Sequence, residues 1–160
     1  MSNSNASLRL DDQLCFALYA ATNAITRAYR APLQAIGLTY PQYLVMLVLW
    51  ELPGTHSVKG LADRLDLDSS TLTPLLKRLA DAGLVQRQRD SHDERVVRIG
   101  LTPQGAALQE QAARIQQGVA GRTRLSATAF QRLREELHQL ARDMGSEADD
   151  APQSEEAALA

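Results

Sequence analysis

Cysteine is nearly absent from this chain of 160 residues, since Cys15 is the only one. A single thiol cannot form a disulfide within the chain, and a reducing compartment keeps it reduced until an oxidant reaches it. The three histidines, His56, His92 and His138, are scattered and lack the spacing of metal ligands. The sequence therefore predicts no disulfide-stabilised fold, no metal site and no cofactor.

Long hydrophobic runs are also missing. The longest, Tyr43 to Trp50, is far shorter than the roughly 20 residues that a bilayer-spanning helix needs. The first ten residues are polar and contain neither a basic segment nor an apolar one, so they do not resemble a signal peptide. We therefore expect a cytoplasmic protein without a membrane partner.

Acidic charge is unevenly distributed along the chain. The net charge is −2, but five of the 19 acidic residues lie in the last fourteen positions, where no basic residue occurs. Without them, 17 basic and 14 acidic residues remain, so the charge does not argue against a nucleic-acid partner. We predict one domain over residues 1–145, with 44% hydrophobic residues in the chain to build its core, and a disordered acidic tail over 146–160.

Capping residues and apolar spacing divide the domain into helices. Thr39 and Gln42 form a capping box before a helix that is apolar nearly all round, which predicts burial. Pro32 is expected to end the first helix, and Pro74 to delay or kink the fourth. The predicted helices span about 11–30, 40–52, 57–65, 69–82, 103–119 and 126–144.

Two segments with strand-like alternation, 84–89 and 95–101, are joined by a polar turn and predict a β-hairpin. The order of short helix, tight link, second helix and hairpin over 57–102 predicts a winged helix-turn-helix. The fold class is therefore mainly α with a small β-hairpin wing. The flanking helices, 11–36 and 103–145, carry apolar faces that need a partner surface, so we expect a homodimer.

The second helix of such a module enters the major groove of double-stranded DNA. Small hydroxyl side chains permit close approach to bases, and basic side chains neutralise phosphates. The predicted contacts on this helix are Ser69, Ser70, Thr71, Thr73, Lys77 and Arg78. The wing supplies Arg87, Arg89, Arg95 and Arg98, with Arg95 at the tip suited to a minor groove. A dimer predicts an inverted-repeat operator, although the wing arginines are also compatible with a merely solvated face.

Cys15 shares one helix face with Tyr19, Thr22, Thr26 and Tyr29. Tyr19 can approach the thiol within the helix, whereas Tyr29 lies about 21 Å further along the axis and can reach it only from a second subunit. A thiolate in such surroundings is able to react with a peroxide. On these residues alone, an inert packing cysteine remains an alternative.

The module resembles the MarR family of winged-helix repressors at 61–65, 71–79, Gly83-Leu84-Val85 and Asp93-Glu94-Arg95. Segments 12–19 and 38–46 are similar to its organic-hydroperoxide-sensing, OhrR-type branch. The resemblance implies a symmetric dimer that represses transcription until Cys15 is oxidised. It also implies that Tyr29 and Tyr40 of the partner chain hydrogen-bond Cys15, and that Asp93 orients Arg95.

The chain departs from those OhrR-type members that carry a second cysteine. Oxidised Cys15 must instead react with a low-molecular-weight thiol, form a sulfenamide, pair with another Cys15 or over-oxidise. A second hypothesis is a repressor released by an aromatic or lipophilic ligand, bound in a cleft between Leu14, Leu18, Met46 and Trp50. A cysteine enzyme is not expected, because no histidine lies near Cys15 in sequence to act as its base.

Overall fold

The structure, a computed structural model, describes residues 8–149 and the side chains of residues 8–145. Within this range the chain divides between Ala120 and Gly121 into two compact units. The predicted mainly helical fold with a small β wing is confirmed. The elements are α1 (Leu14–Ala35), α2 (Tyr40–Glu51), β1 (Thr55–Ser57), α3 (Val58–Leu65), α4 (Ser69–Asp81), β2 (Val85–Arg89), β3 (Val97–Leu101), α5 (Pro103–Ala107), α6 (Gln109–Gly121) and α7 (Ala127–Asp149).

Helix α1 differs from its prediction at both ends. It begins at Leu14, after a separate 3-10 turn at Leu10–Asp12, so the expected aspartate cap is wrong. It then continues through Pro32 to its end at Ala35, whereas the sequence predicted an end before this proline. Pro32 removes one backbone hydrogen bond, but Leu33 next to it is fully buried and holds the last turn on the core.

The predicted capping box at the start of α2 is confirmed. The Thr39 N–H donates to Gln42 Oε1 at 2.9 Å, and the Gln42 N–H donates to Thr39 Oγ1 at 3.4 Å. Helix α2 is buried on most sides, as its apolar sequence predicted, with Val45 and Met46 fully enclosed. It therefore forms the centre of the first unit.

The helix-turn-helix consists of α3 and α4. The predicted cap of α3 is confirmed, because the Gly60 N–H donates to Ser57 Oγ at 3.0 Å. Asp66 ends α3 in the left-handed conformation at φ 52°. Helix α4 is continuous from Ser69, so the predicted late start at Pro74 is wrong. The kink remains a prediction.

The wing is part of a three-stranded antiparallel sheet in the order β1-β3-β2. The hairpin of β2 and β3 was predicted, and Val85 lies opposite Leu101. Strand β1 was missed, and it pairs with β3 so that Thr55 lies opposite Gly100. A Cβ atom at Gly100 would lie 3.1 Å from Thr55 Cγ2, so a larger residue here would require the Thr55 side chain to shift.

The C-terminal helices also differ from their prediction. The single helix expected after Thr102 is two helices, α5 and α6, which meet at Leu108. In the second unit, α7 follows the predicted cap at Ser126, whose Oγ accepts the Ala129 N–H at 3.2 Å. This helix extends to Asp149, so the first part of the predicted disordered tail is helical. The remainder, 150–160, lies outside the described residues.

No single helix in the described part of the chain is long and apolar enough to span a membrane. Helices α1 and α2 meet the length and composition criteria only together, as a pair bent by 77°. Among the described side chains, no three His, Cys, Asp or Glu residues are grouped to hold a metal ion.

Candidate functional site

Cys15 is the second residue of α1, and its side chain is exposed. Its thiol makes no hydrogen bond with any residue in the described range 8–149. One turn later, Tyr19 is 65% exposed, and its ring stacks on Phe16 with centroids 6.5 Å apart. The thiol is therefore open to a small oxidant, with one tyrosine of the same chain nearby.

The hydroxyl groups further along α1 are less available than their spacing suggested. The Thr26 hydroxyl donates to the Thr22 carbonyl oxygen at 2.8 Å, so its proton is already engaged. Because α1 is unbroken, Tyr29 lies about 21 Å from Cys15 along the helix axis. Within one chain, Tyr29 therefore cannot reach the thiol.

Tyr29 and Tyr40 meet at the far end of α1, and Tyr43 joins them. The ring centroids lie 5.5 Å apart for Tyr29 and Tyr40, and 5.2 Å apart for Tyr29 and Tyr43. Sequence reasoning missed Tyr43, although its position three residues after Tyr40 places both on one helix face. These three residues are called the tyrosine cluster below.

Burial raises the pKa of two phenols of the tyrosine cluster, Tyr40 and Tyr43. Desolvation, and then the neighbouring Tyr29, raise the pKa of Tyr40. Desolvation, the proximity of Tyr29 and a hydrogen bond to Tyr29 raise the pKa of Tyr43 above its usual range. Tyr40 and Tyr43 are therefore neutral phenols at physiological pH, able to donate hydrogen bonds.

Helix α4 presents the predicted DNA-contact residues to solvent. Its inner face is fixed by Leu72, Leu76 and Leu79, each no more than 2% exposed. The predicted contact residues on this helix are all exposed: Ser69, Ser70, Thr71, Thr73, Lys77 and Arg78. The side chains form one hydroxyl-rich, basic surface on a helix anchored by leucines.

The wing arginines do not share one face of the sheet. Arg87 lies opposite Ile99 and Arg89 opposite Val97, so both arginines extend from the face that carries the buried Ile99. Arg98 points to the other face, because side chains alternate along a strand. Arg87 and Arg89 are exposed, as predicted for DNA contacts.

The turn between β2 and β3 holds the remaining predicted residues. Asp93 Oδ1 accepts the Arg95 N–H at 3.0 Å and lies 3.9 Å from Arg95 Nε, while the Arg95 side chain is 95% exposed. Arg98 instead donates from Nε to Asp90 Oδ2 at 2.6 Å. The pKa of Asp90 is lowered to about 2, chiefly by this bond and then by hydrogen bonds from the His92 and Asp93 backbone amides. Arg98 therefore closes the base of the wing, and Arg95 projects from its tip.

The predicted ligand cleft is not formed as expected. Met46 is fully buried, and Leu14 is 61% exposed on α1. Trp50 does line a cavity of about 360 Å³, but between α2 and α6. Its other lining residues are Tyr43, Leu47, Glu51, Gln109, Ala112, Ala113 and Gln116.

Comparison with known proteins agrees with this geometry. Residues 38–97 match the model of the MarR family. The organic hydroperoxide resistance transcriptional regulator of Bacillus subtilis is 42% identical over 140 residues, which cover 88% of this chain and 95% of the relative. This chain belongs to the MarR family. The predicted family resemblance is thereby confirmed, and this MarR-family chain is a winged-helix transcription regulator rather than an enzyme.

Two further relatives extend the comparison. The MarR-family chain is 51% identical over 136 residues to the HTH-type transcriptional regulator TtmR of Methylorubrum extorquens, covering 81% of this chain and 69% of TtmR. It is also similar to reduced AbfR bound to DNA, with 36% identity and a TM-score of 0.71, covering 86% of this chain and 95% of that one. AbfR has also been solved overoxidised on DNA and in a disulfide form.

Proposed function

We propose that this MarR-family chain is a cytoplasmic DNA-binding repressor that senses organic hydroperoxides through oxidation of Cys15 and then releases its operator. The observation that carries the proposal is the exposed Cys15 at the start of α1. It occurs in a chain closely similar to an organic hydroperoxide resistance regulator. The exposed surface of α4 supports the DNA-binding half of the proposal.

The oxidation step uses chemistry available to one thiol. The Cys15 thiolate attacks the outer oxygen of the hydroperoxide, so an S–O bond forms and the O–O bond breaks. The leaving alkoxide takes up a proton and departs as the alcohol, and the sulfur loses the two electrons that the peroxide gains. A low-molecular-weight thiol then condenses with the sulfenic acid, forming a mixed disulfide and water.

The reactive site needs two subunits. Because Tyr29 and Tyr40 are remote from Cys15 in their own chain, the partner subunit supplies them to the thiol. Apolar side chains on α1 and α7 support such a homodimer, since Leu14, Leu133 and Leu137 are exposed in the single chain. Neutral tyrosine phenols would donate hydrogen bonds to the thiolate of the reduced protein.

In the DNA complex, each subunit inserts α4 into a major groove. Thr71 and its neighbours at the helix N-terminus contact base edges, and Lys77 and Arg78 contact phosphates. Arg95, oriented by Asp93, enters the adjacent minor groove. The two recognition helices of a dimer lie about 34 Å apart, so the operator is an inverted repeat with half-sites one helical turn apart.

Release requires a bulky product on Cys15. AbfR has been solved on DNA in its overoxidised form, so for that protein over-oxidation is compatible with DNA binding. A mixed disulfide is larger than a sulfinic acid and displaces the partner's tyrosines further. A change of about 3 kcal/mol in binding free energy would weaken operator binding more than 100-fold.

The test is fluorescence anisotropy on an inverted-repeat DNA from the region upstream of the gene. We expect treatment with cumene hydroperoxide and then cysteine to weaken operator binding of the wild-type protein more than 100-fold, which corresponds to about 3 kcal/mol. Cys15→Ser should bind the same DNA and ignore the oxidant. Release of Cys15→Ser by the peroxide would overturn the proposal. A wild-type protein that ignores peroxide but is released by an aromatic ligand would favour the ligand-responsive hypothesis.

A further inference from the structure

Trp50, the only tryptophan of the chain, links the tyrosine cluster to α5. Its ring centroid lies 6.5 Å from that of Tyr43. On its other side, Trp50 Nε1–H donates to the Gly105 carbonyl oxygen at 3.0 Å. This contact joins residues 55 positions apart, close to the break between α5 and α6 at Leu108.

Gly105 in turn contacts the segment that connects α4 to β2. Its N–H donates to Thr102 Oγ1 at 3.0 Å, and the Thr102 hydroxyl donates to the Gly83 carbonyl oxygen at 2.6 Å. A Cβ atom on Gly105 would lie 1.9 Å from the Leu84 carbonyl oxygen, so the two backbones are in tight contact. Gly83 follows α4, and Leu84 immediately precedes β2.

The contacts therefore form one continuous path within the first unit. It runs from the tyrosine cluster through Trp50, Gly105 and Thr102 to the junction between α4 and the wing. Each member of the path is joined to the next by a ring contact, a hydrogen bond or tight backbone packing, so a displacement at one end is passed to the other. Both DNA-contacting elements begin or end at this junction.

We propose that Trp50 is a positioning residue that carries the oxidation state of Cys15 to α4 and the wing through its hydrogen bond to Gly105. This inference rests on the proposed function, since oxidation of Cys15 is its input. The adduct on Cys15 of one subunit displaces Tyr29 and Tyr40 of the other subunit. Within that second subunit, Tyr43 and Trp50 follow because their rings are in contact. The shift of Gly105 and Thr102 then reorients the junction.

The native fluorescence of Trp50 tests the first half of the path. Emission of the wild-type protein is recorded before and after treatment with cumene hydroperoxide and cysteine, together with operator binding. We expect the emission maximum to shift, because the Trp50 ring follows Tyr43 to new surroundings while its N–H stays bonded to Gly105. Operator release with an unchanged spectrum would overturn the proposal.

Two matched variants test the second half. Thr102→Val and Ser57→Ala each remove a helix-capping hydroxyl that accepts an amide N–H at 3.0 Å, but only Thr102 lies on the path. Thr102→Val removes both hydrogen bonds of this hydroxyl, to Gly105 and to Gly83. We expect the fluorescence change to persist while the oxidant-induced loss of affinity shrinks at least about tenfold. Ser57→Ala should release DNA as the wild type does.

Trp50→Phe distinguishes a failure of this proposal from a failure of the proposed function. It keeps a ring against Tyr43 and removes the N–H donor, so the reduced protein should bind DNA normally and the release should again shrink about tenfold. If the wild type, Thr102→Val and Trp50→Phe all release equally, the path is wrong and the redox repressor stands. If the oxidised wild type keeps its operator, the input is missing and both proposals fail.

Discussion

A single ion pair closes the base of the wing. The Asp90 side chain is only 14% exposed, and its carboxylate accepts hydrogen bonds from Arg98 Nε and from the backbone amides of His92 and Asp93. Its pKa falls from the ordinary 3.8 to about 2, chiefly because of Arg98. A carboxyl with a lowered folded-state pKa stabilises the fold above its unfolded pKa. This contribution is complete above pH 4 and is lost as the pH falls toward 2.

We predict that Arg98→Ala raises the pKa of Asp90 toward 3.8, as measured by NMR titration of its carboxyl carbon. The two amide hydrogen bonds remain and account for the rest of the lowering. Arg95→Ala is the control, because the Arg95 Nε lies 3.9 Å from Asp93 and makes no bond to Asp90. An unchanged Asp90 titration in Arg98→Ala would contradict the structural role given to this arginine.

At the scale of elements, the sequence predicts those features whose signals lie within a few neighbouring residues. The caps at Thr39, Ser57 and Ser126 depend on partners three residues away, and the sequence displays both partners. Strand β1 and the break between α5 and α6 were not predictable in this way. Strand β1 exists because it pairs with β3 more than 40 residues later, and Trp50 contacts α5 across 55 positions.

The candidate site shows the same division. Cys15 and the predicted DNA-contact residues of α4 lie in segments with their own local pattern, and the structure leaves them exposed. Tyr43 was missed because its role depends on Tyr29, which reaches it from another helix. Arg98 resembled the other wing arginines in sequence, and only the fold of the wing separates it from them by bringing Asp90 to it.

The wing as an element should govern the salt dependence of DNA binding. We predict that Arg95→Ala weakens operator binding about tenfold. It should also reduce the slope of log affinity against log salt concentration by about 2, because each of the two subunits loses one contact as strong as a phosphate contact. Operator titrations at salt concentrations between roughly 50 and 200 mM measure both the affinity and its salt dependence.

Arg114→Ala provides the matched control for Arg95. Arg114 also carries one exposed charge, but it pairs with Glu110 on α6 at 2.6 Å, outside the wing. It should leave both the affinity and the salt slope close to wild type. Equal slopes in the two variants would mean that Arg95 acts only through the overall charge of the protein.

At the scale of the whole molecule, the length of α1 distinguishes two arrangements of the reactive site, one within a single chain and one shared between two subunits. About 21 Å lies between Cys15 and Tyr29, so a chain cannot complete the site by itself. In the proposed dimer, each site would take Cys15 from one subunit and Tyr29 and Tyr40 from the other. A mixed dimer can therefore distinguish this arrangement from a site built within one chain.

We predict that mixing Cys15→Ser subunits with Tyr29→Phe/Tyr40→Phe subunits restores one intact site per heterodimer. The intact site takes its thiol from the second variant and its phenols from the first, while the other site lacks both. The rate of sulfenic acid formation with cumene hydroperoxide should therefore recover to about half of the wild-type value per dimer, because one of two sites is whole. The Tyr29→Phe/Tyr40→Phe homodimer is the slow reference. A heterodimer as slow as this reference would place the phenols and the thiol in the same chain, which the length of α1 opposes.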